Sequence, residues 1–313
     1  MAQTEYAVRL QHVTKTFGPV VANKDVSLGV RRGEILALLG ENGSGKTTLM
    51  NMISGIYHPD GGTIYVDGKA ASIQSPLDAQ NLGIGMIHQH FKLVNIFSAM
   101  ENIELGTPGR KLPTKVLREK VMELCRTYGL ETDPEKPVHA MSVSEKQTVE
   151  ILKVLYRGAR ILILDEPTAV LTPQEIHELM EIMRNLTKEG KTIILITHKL
   201  KEIKEVADVC TVLRRGRCMG TIQVAETSEE EMAKLMVGRE VDFGVEKQAQ
   251  QPGKVVLEIE HLKVKNSKGL LGVKDFSLQV RAGEIVGVAG IDGNGQTELV
   301  YALTGLAKAE GGK

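Results

Sequence analysis

The octapeptide Gly40-Glu41-Asn42-Gly43-Ser44-Gly45-Lys46-Thr47 constrains the fold more than any other stretch of the chain. The apolar run Ile35-Leu36-Ala37-Leu38-Leu39 precedes it; Leu49, Met52 and Ile53 follow on one helical face, with Gly55 as a stop. That context predicts strand, glycine-rich loop, helix, the arrangement of a phosphate-binding P-loop. Gly40, Gly43 and Gly45 let the loop bend until successive backbone N–H groups point inward, with no side chain in the way. The start of the helix adds its positive dipole end, Lys46 can reach β- and γ-phosphates, and the Thr47 hydroxyl is placed to ligate magnesium. The natural ligand is a nucleoside triphosphate with Mg²⁺. A glycine-rich surface turn with a chance lysine would need neither the buried strand before it nor the helix after it.

Composition narrows the class. At 313 residues the chain can form one large domain, or one and a part, and fold around its own core. Its 39 basic and 39 acidic side chains cancel, which argues against nucleic acid as a partner, since such proteins usually carry a basic excess. Cys125, Cys210 and Cys218 form no C-x-x-C pair and read as reduced thiols of a cytosolic protein, not a zinc site. The N-terminus lacks the apolar core of a signal peptide. The longest apolar runs, such as Ile193 to Ile196, fall far short of the roughly 20 residues a membrane span needs. A soluble chain with no direct membrane span is expected.

Residues 6 to 39 read as short antiparallel strands. Val8, Leu10 and His12 alternate, Gly18-Pro19 turns the chain, and Val26, Leu28 and Val30 alternate before Gly33. Phe17 sits at the turn, where an aromatic could stack on an adenine ring; mechanics alone favours an ordinary half-buried strand-end residue. Thr63-Ile64-Tyr65-Val66, bracketed by Gly61-Gly62 and Asp67-Gly68, looks like one strand of a hairpin. The stretch Met86 to Phe91 reads as a strand delivering Gln89, whose carboxamide could lie near a nucleotide; His88 and His90 beside it are not read as a metal pair. Residues 96 to 157 carry Leu117, Val121, Leu124 and Cys125 on one helical stripe, with Pro108, Pro113, Pro134 and Pro137 between pieces. A helical subdomain inserted into an α/β core is the simplest account.

Ile161-Leu162-Ile163-Leu164 is an uninterrupted apolar run, the pattern of a strand buried on both faces, and it delivers Asp165-Glu166-Pro167. Paired carboxylates at such a strand end are costly unless cations meet them. In a P-loop protein the first can hold the magnesium shell, and the second can orient or activate the attacking water. Residues 191 to 198 repeat the design and end in His198, at the sheet edge where ligands of open α/β sheets bind. Residues 227 to 237 read as a helix capped by Thr227 or Ser228 and stopped at Gly238, and the glutamines, Pro252 and Gly253 after Val245 as a linker. The expected organisation is a first domain over 1–240, a linker over 241–254 and an incomplete second domain over 255–313. The glycines at 40, 43, 45, 55, 61 and 62 recur at 290, 293, 295, 305, 311 and 312, a constant shift of 250 residues that indicates a duplicated domain. Gln296 stands where the first copy has Lys46, removing a phosphate-binding cation. The second copy stops after its own loop helix, so a C-terminally truncated chain is expected.

These motifs resemble the ATP-binding subunits of ABC transporters, specifically the tandem type serving importers of simple sugars and nucleosides, over nearly the whole chain. The resemblance implies an α/β P-loop NTPase fold: an ABC ATPase domain with an antiparallel β subdomain, a mostly parallel core sheet and an inserted helical subdomain, followed by the start of a second copy. It implies ATP and Mg²⁺ as cofactors, with Gly40, Asn42, Gly43, Ser44, Gly45, Lys46, Thr47 and Thr48 around the phosphates and Phe17 on the adenine. Thr47, Gln89 and Asp165 would hold the magnesium; Glu166, His198, Lys46 and Gln89 would carry the catalysis. It implies transmembrane permease subunits as partners, a solute-binding protein indirectly, and a peripheral position on the cytoplasmic face of the inner membrane. The passages 88–94 and 157–172 look more like nucleoside-importer ATPases than ribose or galactoside ones.

The family signature Leu-Ser-Gly-Gly-Gln reads here Met141-Ser142-Val143-Ser144-Glu145. Ser142 keeps the nucleotide-facing hydroxyl, Ser144 adds a side chain where glycine allows close approach, and Glu145 is expected to bring negative charge near a polyanion. Thr172 stands where the family has an aspartate. Each ATP of the family lies between the loop of one domain and the signature of the other, so the altered signature would complete the site containing Gln296. One competent and one weak site are expected. The alternatives are a ribosome-associated tandem ABC ATPase, disfavoured by Gln296 and the short linker, and a regulatory module that binds ATP without turnover.

Overall fold

The computed structural model describes residues 5–107, 112–238, 251–266, 269–290 and 293–313. Most of the expected linker, and Pro108, lie outside these. Two compact units result, Met1–Val241 and Asp242–Lys313.

The first unit opens with β1 (Tyr6–Phe17) and β2 (Val20–Arg31), paired antiparallel across Gly18-Pro19. Val8, Leu10, Val26, Leu28 and Val30 are buried as the alternation predicts. The alternation breaks at His12, whose φ of 53° marks a bulge that turns its imidazole outward and puts Val13 in the core instead. Then come β3 (Ile35–Leu39) and α1 (Lys46–Ile53), then the hairpin of β4 (Gly61–Val66) and β5 (Lys69–Ala71), which extends the antiparallel sheet in the order β2-β1-β4-β5. A short helix, α2 (Pro76–Asn81), lies where periodicity gives no signal; Ser75 caps it by accepting from the Asp78 N–H, and Pro76 presets its first turn. β6 (Ile84–Ile87) follows and ends just before His88.

Between β6 and β7 the chain forms α3 (Ala99–Glu104), α4 (Thr114–Tyr128) and α5 (Val143–Tyr156). Leu117, Val121 and Cys125 of α4 are buried and Leu124 packs partly buried beside them. Next are β7 (Ile161–Asp165), α6 (Pro173–Lys188), β8 (Thr192–Thr197), α7 (Leu200–Val206), β9 (Val209–Arg214), β10 (Arg217–Gln223) and α8 (Glu229–Val237). Ser228 caps α8 and Gly238 ends it at φ 81°.

The second sheet has the order β10-β9-β3-β8-β7-β6, parallel except for β10. Its central strands separate their side chains by parity: Ile35, Leu162, Leu164, Ile193 and Leu195 enter one core layer, and Leu36, Leu38, Ile163, Ile194 and Ile196 the other. Both faces are therefore covered, which is why these strands tolerate no polar alternation. The register sets Leu39 beside Thr197 and Asp165 beside Ile196, bringing the carboxyl ends of β3, β7 and β8 to one level.

The second unit holds β11 (Val255–Lys265), β12 (Leu271–Arg281) and α9 (Gln296–Leu303) around a small core of Ile259, Leu262, Val264, Val273 and Leu299. It repeats the bulge of the first: His261 has φ 51°, donates its backbone N–H to Ser277 Oγ and meets Asp275 at 2.8 Å, as His12 donates to Ser27 and meets Asp25 at 2.6 Å. The segment equivalent to β3 is not a strand; Ile285 is 98% exposed where Ile35 is buried, because no neighbouring strand pairs with it among the described residues. Leu195→Ala, at a fully buried site, should cost about 3 kcal/mol in urea unfolding of this chain, and Ile285→Ala less than about 0.5 kcal/mol.

Candidate nucleotide-binding site

The loop from Gly40 to Thr47 leaves the buried end of β3 and enters α1 through Gly45, whose φ of 99° is left-handed. A Cβ there would lie 2.4 Å from the Ala22 carbonyl oxygen and 2.7 Å from Asn23 Nδ2, and one on Gly40 would lie 2.4 Å from the Leu213 carbonyl oxygen. Gly43 has open space around it but a φ of 78°. The three glycines thus answer two different demands, close packing at 40 and backbone sign at 43, with both at 45.

Lys46 is only 5% exposed, and its Nζ donates to the carbonyl oxygens of Gly40 at 2.7 Å and Glu41 at 2.9 Å. Burial pushes its ammonium below the ordinary lysine range, while the nearby Glu166 and Asp165 pull the other way. Asp165 is buried at the end of β7. Burial, and then the charge of Glu166, push its carboxyl up, against the pull of Lys46 and a hydrogen bond from Thr47. Glu166 turns out of the strand with φ 45°, its N–H held by the Ile196 carbonyl at 3.0 Å. Its carboxylate takes His198 Nδ1 at 3.1 Å on one oxygen and Gln89 Nε2 at 3.4 Å on the other. A left-handed conformation in a non-glycine residue at a strand end is the kind of local strain that functional sites hold in place.

Asn42, Gly43, Ser44, Gly45, Lys46, Thr47, Thr48, Gln89, Asp165 and Glu166 line a single cleft of about 660 Å³. Two walls of it have no signature in the motif: Val20 to Ala22 at the start of β2, and Arg215-Gly216 at the β9–β10 turn. That turn is tied to the loop by Gly216 N–H to Ser44 O at 3.0 Å and to β2 by Lys24 N–H to Gly216 O at 2.7 Å. Phe17 does not line the cleft; it is 42% exposed beside it in the chain, edge-on to Tyr57 at 5.2 Å between ring centroids.

Ser142 also stands apart from the cleft. It is the N-cap of α5 and forms a capping box with Glu145, whose carboxylate accepts from the Ser142 N–H at 2.7 Å and from Lys136 Nζ at 2.7 and 2.9 Å. Those contacts, the Lys136 hydrogen bond foremost, hold Glu145 below the usual carboxylate range. The negative charge that Glu145 is expected to bring near a polyanion is thus paired with Lys136 as well as engaged at the start of α5.

The donor set fits a nucleoside triphosphate with a divalent cation. The loop has no room for side chains at 40 and 45, the Ser44 hydroxyl oxygen is buried with no partner among the described residues, and an ammonium faces a hydroxyl and two carboxylates. A bound triphosphate would bring its anion to the loop and Lys46, and a divalent cation would meet Thr47 and Asp165.

A parallel sheet with this loop at its carboxyl edge, beside a buried aspartate and glutamate, defines a P-loop nucleotide-binding protein. The family described as "ABC transporter" matches residues 23–169. The nucleoside import ATP-binding protein NupA of Lactococcus lactis is 58% identical over 98% of the chain and 62% of its own length. The guanosine import ATP-binding protein NupO of Bacillus subtilis is 53% identical over 98% of the chain and 61% of its own length. Among solved structures, cbiO1 of Clostridium perfringens, part of the ABC transporter complex cbiONQ, superimposes with TM-score 0.64 at 31% identity, covering 71% of this chain and 90% of that one. The chain belongs to the ATP-binding subunits of the ABC transporter family. It spans about three-fifths of the length of the curated relatives it matches.

Gly45→Ala should lower affinity for a fluorescent ATP analogue at least about ten-fold, since the loop must move to clear the Ala22 carbonyl. Asp165 has a folded-state value above its ordinary 3.8, so the free chain loses stability as pH rises from 3.8 through that value, and the ionised carboxylate is destabilising at neutral pH. Asp165→Asn should therefore raise Tm by about 2–4 °C in EDTA without nucleotide while weakening Mg-ATP binding, both readable by thermal shift.

Proposed function

We propose that this chain binds and hydrolyses ATP as the energy-coupling subunit of a membrane importer, with nucleosides as the favoured solute class and simple sugars as the alternative. The observation that carries the reading is the Glu166 carboxylate, held by His198 and Gln89 at the mouth of the loop that buries Lys46. Two donors on one carboxylate fix its direction, and an oriented glutamate can accept a proton from water aligned on a terminal phosphate. Lys46 and the inward N–H groups of the loop stabilise the charge that spreads over the transferred phosphoryl group. His198, bonded to Glu166 at 3.1 Å, can hold the same water or the phosphate oxygen. Thr47 and Asp165, with Gln89, would hold magnesium; Phe17 would stack on the base from the turn before Val20.

The nucleoside preference rests on the similarity to NupA and NupO, whose names give nucleoside and guanosine import. The same reading makes permease subunits the partners, with a solute-binding protein acting through them, and puts the chain at the periphery of the membrane on its cytoplasmic side. No helix among the described residues is long and apolar enough to cross a membrane. Residues 96–157 would form the helical subdomain that meets the permease. Residues 255–313 would open a second cassette; Gly295 enters α9 at φ 95° as Gly45 enters α1 at φ 99°, with Gln296 in place of Lys46. Ser142, at the start of α5, would then face the nucleotide of that second cassette, and the two sites would be unequal.

Glu166→Gln should keep ATP binding and lower turnover at least about a hundred-fold in a phosphate-release assay. Lys46→Ala should abolish turnover of the protein while Gln296→Ala leaves most of it. The reverse pattern would reassign the competent site.

A further inference from the structure

A second hollow, of about 450 Å³, opens between α5 and α6, and none of its lining residues belongs to the nucleotide cleft. Its size falls within the range of ligand sites, roughly 300–1,000 Å³. Its floor is apolar, formed by Ile151, Leu171, Leu179 and Ile182. Its rim carries Glu131, Glu145, Glu175, Glu178 and Glu181, and no lysine, arginine or histidine lines it. Some of that charge is already engaged: Glu145 by Lys136, Glu175 in the capping box of Thr172, and Glu178 by Gln174 at 3.3 Å; His177 lies 3.9 Å from Glu181. The acidic excess remains, because Lys136 is the one lysine or arginine among these partners.

Gln147 supplies the independent observation. It lines the same hollow at 5% exposure, and its Nε2 has no hydrogen-bond partner among the described residues. A buried amide donor without an acceptor is destabilising, because it has given up water without gaining a partner. An incoming acceptor oxygen would remove that cost. The hollow therefore asks for three things together: cationic groups at the rim, an aliphatic stretch over the floor and an acceptor oxygen at Gln147.

We infer that this hollow binds a basic segment of a partner protein, with a lysine or arginine stem on the Ile151–Leu179 floor, its cation among Glu178 and Glu181, and a backbone carbonyl accepting from Gln147 Nε2. A lysine or arginine side chain combines an aliphatic stem with a terminal cation, and the peptide backbone beside it supplies the acceptor. A simple polyamine offers stem and cation but no acceptor once protonated. Metal cations leave the apolar floor unused.

The test is calorimetric titration of the protein with a capped pentapeptide of alternating glycine and lysine, with its glutamate counterpart and spermidine as comparisons. The lysine peptide should bind, more weakly as salt rises, and the glutamate peptide should not. Glu178→Gln combined with Glu181→Gln should weaken it by up to about ten-fold, and Gln147→Leu by about five-fold. Spermidine should bind more weakly than the peptide and be indifferent to Gln147→Leu. The inference is overturned if the lysine peptide does not bind, if the rim double variant binds it as tightly as the parent, or if spermidine binds as tightly as the peptide. If Gln147→Leu fails to fold, the exposed rim variant and the peptide-to-spermidine preference of the parent protein still decide the matter.

Discussion

Lys46 carries an ammonium group into the interior of the first unit, where leaving water is expensive, and the surrounding structure exists in large part to make that burial tolerable. Two backbone carbonyls take two of its three donors, and the carboxylates of Asp165 and Glu166 supply the opposing charge. The carbonyls belong to the same loop, five and six residues before the lysine, whereas the carboxylates reach it because β7 is in register with β8, and β8 with β3. A one-residue slip would exchange every side chain between the two core layers and move Asp165 out of reach. The apolar parity of three buried strands is thus the condition for an electrostatic arrangement at their ends.

That dependence explains what could be read from the residues. The strands at 35–39, 161–165 and 192–197 are legible because continuous apolar runs have few other uses, and the groups at their ends follow from the layout of parallel sheets. Lys46, Thr47, Gln89, Asp165 and Glu166 fall in one cleft for that reason, with His198 bonded to Glu166 at its edge. Arg215 and Val20 to Ala22 were not legible, since their place depends on hydrogen bonds linking residues 44 and 216, and 24 and 216, which no local pattern encodes. The helix at 76–81 is too short to show periodicity, and only its Ser75-Pro76 start marks it. Glu145 is a different case: its spacing from Ser142 is the mark of a capping box, whereas its pairing with Lys136, nine residues earlier, has no local signature.

The two units separate local from tertiary causes. The bulge at His12 and at His261 is built the same way, with a left-handed histidine, an aspartate on the ring and a serine on the backbone N–H, so it is determined within a hairpin. The same holds for the left-handed glycine that opens α1 and α9. The strand before the loop is not determined that way. Ile35 and Ile285 follow the same Gly-Glu pair, yet one is buried and hydrogen-bonded on both sides and the other is exposed. The difference lies in β8 and β9, which pair with the first and have no counterpart among the described residues of the second.

It follows that the loop and the helix after it can form before the site is complete, whereas the chemistry cannot. A glycine loop ahead of a helix presents N–H groups wherever it occurs, but the buried lysine, the engaged carboxylates and the oriented Glu166 require the finished parallel sheet. In the second unit the loop stands without that sheet among the described residues, and its leading residue is a neutral glutamine that imposes no burial cost of a charge. A lysine at 296 would need carboxylates delivered by strands equivalent to β7 and β8, and glutamine does not. A neutral residue at 296 therefore leaves the loop before α9 free of the constraint that orders the loop before α1.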